Sequence, residues 1–309
     1  MNALVNIDSK AIAKLIEVVS IGFGTLYRPR QIKKEADAEA YAIKVKAKAE
    51  AEAAAETRLI EIETDERIAQ RLAAKEIRRQ ENIDFIVERA AQILLEKGTI
   101  SDKPVDVDWA TRFFEYAQDI SMEEMKNLWA KILAQEVESP SSFSLRTLDV
   151  LRNITAEEAR TFEKVAQFVL HDGNTFLLGD ESILKQMGVS YLDLTLLVEC
   201  GILQPSDLAM INYQSSEDED TVVNVFNGKY WIKLTIPKQS GKASVFIRMV
   251  SKVGCELLKL VELEGNQEYV VAFASSVKKS NAAMMVQYAV IDEESLGGDL
   301  KNKTPFVTV

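Results

Sequence analysis

The chain has 309 residues, 47% hydrophobic and 28% charged, with only 13 glycines and 6 prolines; this is enough apolar material for one sizeable core or two smaller ones, and it excludes a disordered tail and a turn-rich all-β design. The formal net charge is −11. Asp8, Lys10, Lys14 and Glu17 cancel, and from Arg28 to Lys97 fifteen basic residues face fifteen acidic ones, so the whole excess lies beyond Gly98 and makes that part a poor binder of phosphate backbones.

The first element, within residues 1–30, reads as an amphipathic helix between Asp8 and Tyr27, opened by an Asp/Ser cap and carrying Ile12, Leu15, Ile16, Val19, Phe23 and Leu26. Lys14 and Glu17 interrupt it, and it falls short of the roughly 20 apolar residues that span a bilayer. The basic cluster Arg28, Arg30, Lys33 and Lys34 follows at once. Such a pair can lie in the headgroup plane of an anionic membrane, at about 1 kcal/mol per basic residue; the other use is packing on a partner subunit or on the C-terminal half.

Residues 31–97 contain neither Gly nor Pro and are dominated by strong helix formers. They predict one long charged helix, or two with a hinge, reaching about 100 Å if continuous. The first part has little apolar matter beyond alanine. From Leu59 onward Ile62, Ile68, Leu72, Ile77, Ile83, Ile86, Ile93 and Leu94 recur at helical spacing, which demands a partner helix; with no turn signal dividing the segment, a homo-oligomer through this helix is expected. Gly98 ends it as a C-terminal cap.

Residues 105–172 predict an antiparallel helical bundle. Asp108 is read as the cap of WATRFFEYAQ, Ser121 with Glu124 and Thr155 with Glu158 as capping boxes, and Ser142 or Ser144 as the start of LRTLDVLRN. Trp109, Phe113, Phe114, Met125, Leu128, Trp129, Ile132, Leu133, Phe143, Leu148, Leu151, Phe162, Val165 and Phe168 supply its core. Residues 173–309 change texture: helix, Gly turn and helix in ESILKQMGVSYLDLTLLVECGIL, then period-2 runs at 208–213, 221–226, 230–236 and 244–249, a helix KVGCELLKLV and a last alternating stretch AMMVQYAVI. The outline is a winged-helix-like α+β domain. The fold class is therefore mainly α: a long coiled-coil-like helix, a bundle, then this α+β part.

The second helix of that outline, Tyr191 to Glu199, offers no Lys or Arg to phosphate and no donor pair for a base edge, so DNA is not its expected partner. A basic face from Lys229, Lys233, Lys238, Lys242 and Arg248 on the wing would favour DNA instead. No catalytic, cofactor-binding or metal residues are expected. The one histidine, His171, follows an apolar helix end; Cys200 and Cys255 lie in apolar stretches; phosphate-cradling glycine motifs and Cys/His metal spacings are missing. The acidic run at 217–220 lacks the ligand alternation of a calcium loop and reads as a solvated hairpin loop. Without a disulfide framework or a signal-peptide pattern, a cytoplasmic setting is expected, with membrane association through the N-terminal helix.

The string LWAKILAQEVESPSSFSLRTL, with DWATRFFEYAQDI upstream, resembles an uncharacterised bacterial family known only as a domain of unknown function. The resemblance covers most of 28–168 and is carried by Trp109, Trp129, Leu133, Glu136, Pro140, Phe143, Arg146 and Leu148. It implies a prophage or phage-defence setting and no mechanism. Read physically, the apolar members are core, Pro140 starts a turn, and Glu136 with Arg146 would tie two helices as a buried ion pair. A looser similarity in composition links the N-terminal half to membrane scaffolds of the stomatin and prohibitin kind. The combined expectation is a non-enzymatic, self-associating scaffold or sensor with an unidentified protein partner, peripheral to an anionic membrane; the alternative is a soluble adaptor or a transcription-linked winged-helix protein.

Overall fold

A computed structural model of the chain describes residues 10–24, 59–95, 100–205, 209–292 and 301–309, with side chains in the long helix described from residue 64. It divides into two compact units, residues 1–148 and 149–309.

In the first unit α1 (Lys10–Phe23) packs against α2 (Leu59–Leu95), α3 (Val107–Ala117) and α4 (Glu123–Glu138), and α2 runs along α4. The apolar spacing dictates these contacts. Ala11, Ile12, Leu15, Val18 and Val19 form the buried stripe of α1, and Ile83, Ile86, Ala90 and Leu94 that of α2. Aromatic rings fill the centre: Phe113 lies 5.0 Å from Trp109 and 5.1 Å from both Phe114 and Trp129. Phe23 meets Phe114 at 5.1 Å. Gly22 permits that approach, since a Cβ there would stand 2.1 Å from the Phe114 ring and 3.0 Å from the Ala110 carbonyl. The buried Lys14 donates to the Ser101 carbonyl at 2.8 Å, and Lys10 pairs with Asp102. Burial, then repulsion by Lys10, hold the Lys14 ammonium below its usual pKa.

The helix starts differ from the expected ones by one or two residues. Asp106, not Asp108, caps α3, accepting from Trp109 N at 2.9 Å. Helix α4 starts after Met122 with no side-chain cap, so Ser121 and Glu124 form no capping box. Helix α5 spans Leu145–Asn153.

The second unit holds α6 (Ala156–Ala166), whose Thr155/Glu158 capping box forms as the spacing predicts, then β1 (Leu170–His171), β2 (Thr175–Leu178), α7 (Glu181–Gln186), α8 (Tyr191–Glu199), β3 (Ala209–Gln214), β4 (Thr221–Asn227), β5 (Tyr230–Ile236), β6 (Lys242–Met249), α9 (Lys252–Leu258), α10 (Gln267–Ser280), β7 (Met285–Val290) and β8 (Val307–Thr308). The eight strands form one antiparallel sheet in the order β3-β6-β2-β1-β4-β5-β7-β8. Helix α10 covers one face, burying Tyr269, Val270, Phe273, Ala274 and Val277, and packs on β5, β6 and β7. The buried Tyr269 hydroxyl accepts from Leu178 N at 2.7 Å, fixing the helix to the sheet.

Two expectations are corrected. The acidic run at 217–220 is not a hairpin loop, because it joins β3 and β4, which bond to different strands. His171 does not follow a helix end: α6 stops at Ala166 and His171 lies in β1, opposite Thr175 and Phe226.

Candidate functional site

Two places carry chemistry that the core does not consume. The first is the start of α2. Ile68 and Ile86 are eighteen residues apart, five full turns, and so are Leu72 and Ala90, so both pairs lie on one line of the helix. Ile86 and Ala90 are fully buried, whereas Ile68 is 42% and Leu72 52% exposed. The changeover falls at Arg79, which grips Asp119 with two parallel bonds of 2.9 and 3.0 Å, and at the buried Asn82, which donates to the Gln118 carbonyl at 2.9 Å and caps α3. This bidentate pair holds the Asp119 carboxyl below its ordinary range. Charges of both signs, including Glu66, Arg67, Arg71 and Glu76, flank the exposed stretch, as on the shoulders of a coiled-coil seam.

The second place is a cleft of about 870 Å³ in the sheet unit. His171, Thr175 and Phe226, neighbours in register, contribute from β1, β2 and β4. Cys255, Leu258 and Lys259 contribute from α9 and its end; Lys229, Glu262, Glu264 and Lys303 add charge. The imidazole Nδ1 sits 3.1 Å from the Thr175 hydroxyl, and Lys229 bonds Glu264 at 2.6 Å. Cys255 and His171 line the same cleft, with no hydrogen bond between them. The other thiol, Cys200, lies at the end of α8, where burial, with Glu158 beside it, pushes its pKa up to about 11.

Among the sequence-predicted residues, Ile12, Leu15 and Val19 lie in the core of the first unit, and Ile16 and Phe23 are half-buried. Leu26, Arg28, Arg30, Lys33 and Lys34 lie outside the described residues. Trp109, Trp129, Leu133, Phe143 and Leu148 are core as expected, with Pro140 half-buried at the turn. Glu136 and Arg146 part company. The Glu136 side chain is buried and takes the main-chain N–H of Ser141 at 2.6 Å and of Phe143 at 3.0 Å, while Arg146 is exposed. The carboxylate thus satisfies the turn after α4, where Ser141 adopts a positive φ of 71°. The five basic residues proposed as one wing face are dispersed: Arg248 is buried beside Glu181, Lys229 pairs with Glu264, and β5 and β6 are separated in the sheet by three strands. The cleft itself escaped sequence reading, because its lining runs from Val169 to Thr304.

Among the described residues no helix is long and apolar enough to cross a membrane, and no group of three or more His, Cys, Asp or Glu side chains could hold a metal ion. A family model described as a protein of unknown function (DUF2806) matches residues 66–274, over half of the chain. No curated protein and no solved structure matches it.

Proposed function

The chain belongs to the DUF2806 family, whose function is unknown, and from its own residues we propose that it is a non-enzymatic scaffold or sensor that self-associates through residues 64–79 of α2. The observation that carries this reading is the apolar line of α2, covered from Ile83 onward and exposed at Ile68 and Leu72. A second copy of the same segment would cover it with matching side chains and mixed charges. Light scattering on the full chain tests it. The wild type is expected to be an oligomer and the Ile68→Asp/Leu72→Asp variant a monomer of unchanged circular dichroism; a monomeric wild type, or a variant of unchanged mass, sinks the reading.

In this reading the helices of the first unit are an antiparallel bundle. The second unit is winged-helix-like, with α7, the Gly188 turn and α8 as its helix–turn–helix, supported by the positive φ of Gly188 and the Ser190/Asp193 capping box that opens α8. A soluble adaptor is the second reading, favoured by Tyr191 and Leu192, which are 63% and 75% exposed at the start of α8 and offer a protein partner apolar contact. Lipid contact would rest on Arg28, Arg30, Lys33 and Lys34, since Ile12, Leu15 and Val19 are used inside the first unit. Co-flotation with anionic liposomes decides it: neutralising the four charges abolishes flotation if the membrane takes part. A phage-defence role rests on the family resemblance, and plaque counts on cells with and without the chain test it.

A further inference from the structure

We propose that the exposed line of α2 pairs antiparallel with the same line of a second copy, in a register centred on Gln70, so that Asp65 of each chain meets Lys75 of the other and the assembly closes as a dimer. This fixes the direction, register and stoichiometry of the self-association proposed above, on which it rests.

The order of side chains comes first. Asp65, Ile68, Leu72 and Lys75 follow one another at spacings of three, four and three, so they share one face of the helix, and all four are exposed. From its N-terminal end that face runs acid, apolar, apolar, base; from its other end it runs base, apolar, apolar, acid. An antiparallel copy therefore sets Asp65 against Lys75 and Ile68 against Leu72, twice each. A parallel copy in register sets Asp65 on Asp65 and Lys75 on Lys75, and one shifted by a heptad sets Asp65 on Leu72 and Ile68 on Lys75. In the antiparallel pair Arg71 meets its own counterpart beside the two-fold axis, but at the exposed flank, where water and salt screen the repulsion.

The packing of the first unit points the same way without reference to charge. Ile86 and Ala90 lie on the same line of α2 as Ile68 and Leu72, and there the line is buried under the other helices of the unit. In a parallel pair the two lines would face each other along their whole length, so from Ile83 onward the covering helices of both copies would occupy the same space. In the antiparallel pair the covered lengths point away from each other. The exposed stretch from Thr64 to Glu76 then meets its own counterpart, clear of the covering helices. A pair related by a two-fold axis uses the same patch on both chains and leaves no second patch open, so it stops at two.

The full-length protein is used throughout. Light scattering over a concentration series should return a dimer. Asp65→Lys or Lys75→Asp alone turns both attractive contacts into repulsions and should weaken dimerisation about tenfold; Asp65→Lys/Lys75→Asp restores the complement and should bring it back to the wild-type level, which also excludes misfolding as the cause of the loss. In a parallel pair in register like charges meet in all four proteins, and none of these changes would matter. A carbodiimide, which joins a carboxylate to an amine in contact, should link Asp65 to Lys75. Within one chain the two lie ten residues, about 15 Å, apart along the helix, so a linked peptide found by mass spectrometry comes from two chains. A monomeric wild type overturns the self-association and this arrangement with it. A wild-type oligomer in which the single reversals do not weaken association, the double reversal does not restore it, or the link between Asp65 and Lys75 is absent overturns the antiparallel arrangement alone, and an oligomer larger than two overturns the closed dimer.

Discussion

Replacing Glu136 by glutamine separates two accounts of one carboxylate. In the ion-pair account its partner is Arg146; in the structure it accepts from two main-chain N–H groups of the following turn. Glutamine offers one acceptor oxygen and turns an NH₂ toward the other amide. The change removes the charge assistance of both bonds, about 1.5–3 kcal/mol, and leaves a buried N–H unpaired at about 1–3 kcal/mol. We expect a loss of about 3 kcal/mol, or ~9 °C in the melting of the first unit at about 3 °C per kcal/mol. Arg146→Met changes an exposed side chain and should cost no more than about 0.5 kcal/mol. The assay is urea denaturation of both variants followed by near-ultraviolet circular dichroism, which reports on Trp109 and Trp129. Equal losses for the two variants, or a Glu136→Gln loss below about 1 kcal/mol, would refute the amide-clamp account.

Gly22→Ala places a methyl group against Phe114 and the Ala110 carbonyl and should destabilise the first unit by about 1–3 kcal/mol in urea; an unchanged midpoint would mean that α1 does not approach α3 as described. The Asp119 carboxyl is held below its ordinary 3.8, chiefly by the Arg79 hydrogen bonds. Its contribution is therefore complete above pH 3.8 and fades as pH falls through the lower folded value. The stability gap between wild type and Asp119→Asn should narrow on acidification below that pH, and a gap that widens contradicts the assignment. With its pKa near 11, Cys200 carries about one thiolate per thousand molecules at pH 8, so its reaction with a disulfide reagent should be far slower than that of a free thiol; fast titration of Cys200, identified by peptide mapping, would disprove the burial effect.

Much of the fold was legible because it repeats at short range. The stripe from Ile83 to Leu94 has helical period, Thr155 and Glu158 stand three apart, Gly188 interrupts two apolar runs, and β5 alternates from Tyr230 to Ile236. Strands β1 and β2, with two and four residues, are too short for a period to show. Helix α10 is absent from the sequence reading although Tyr269, Val270, Phe273, Ala274 and Val277 repeat at helical spacing behind the Asn266 cap. Its valines also suit a strand, and only the sheet face it covers decides between the two. The sequence marks Glu136 as buried but points to Arg146 rather than to the amides it accepts from, because charges are visible in a sequence and the orphaned amides of a turn are not. The candidate cleft was not legible at all, since no local pattern relates His171 to Cys255 or Lys303.

The strand order bears on how the chain folds. The helices of the first unit from α2 onward follow one another and meet near neighbours. In the second unit β2, complete by Leu178, has no outer partner until β6 arrives with Ile247, Arg248 and Met249, and β5 waits for β7. Nucleation there must close loops of about 70 residues, an entropic cost that slows folding, while α2, α3 and α4 of the first unit can order as they form. During synthesis the early strands would stand with unpaired edges until residue 249 has emerged, so this sheet is where a chaperone would be needed.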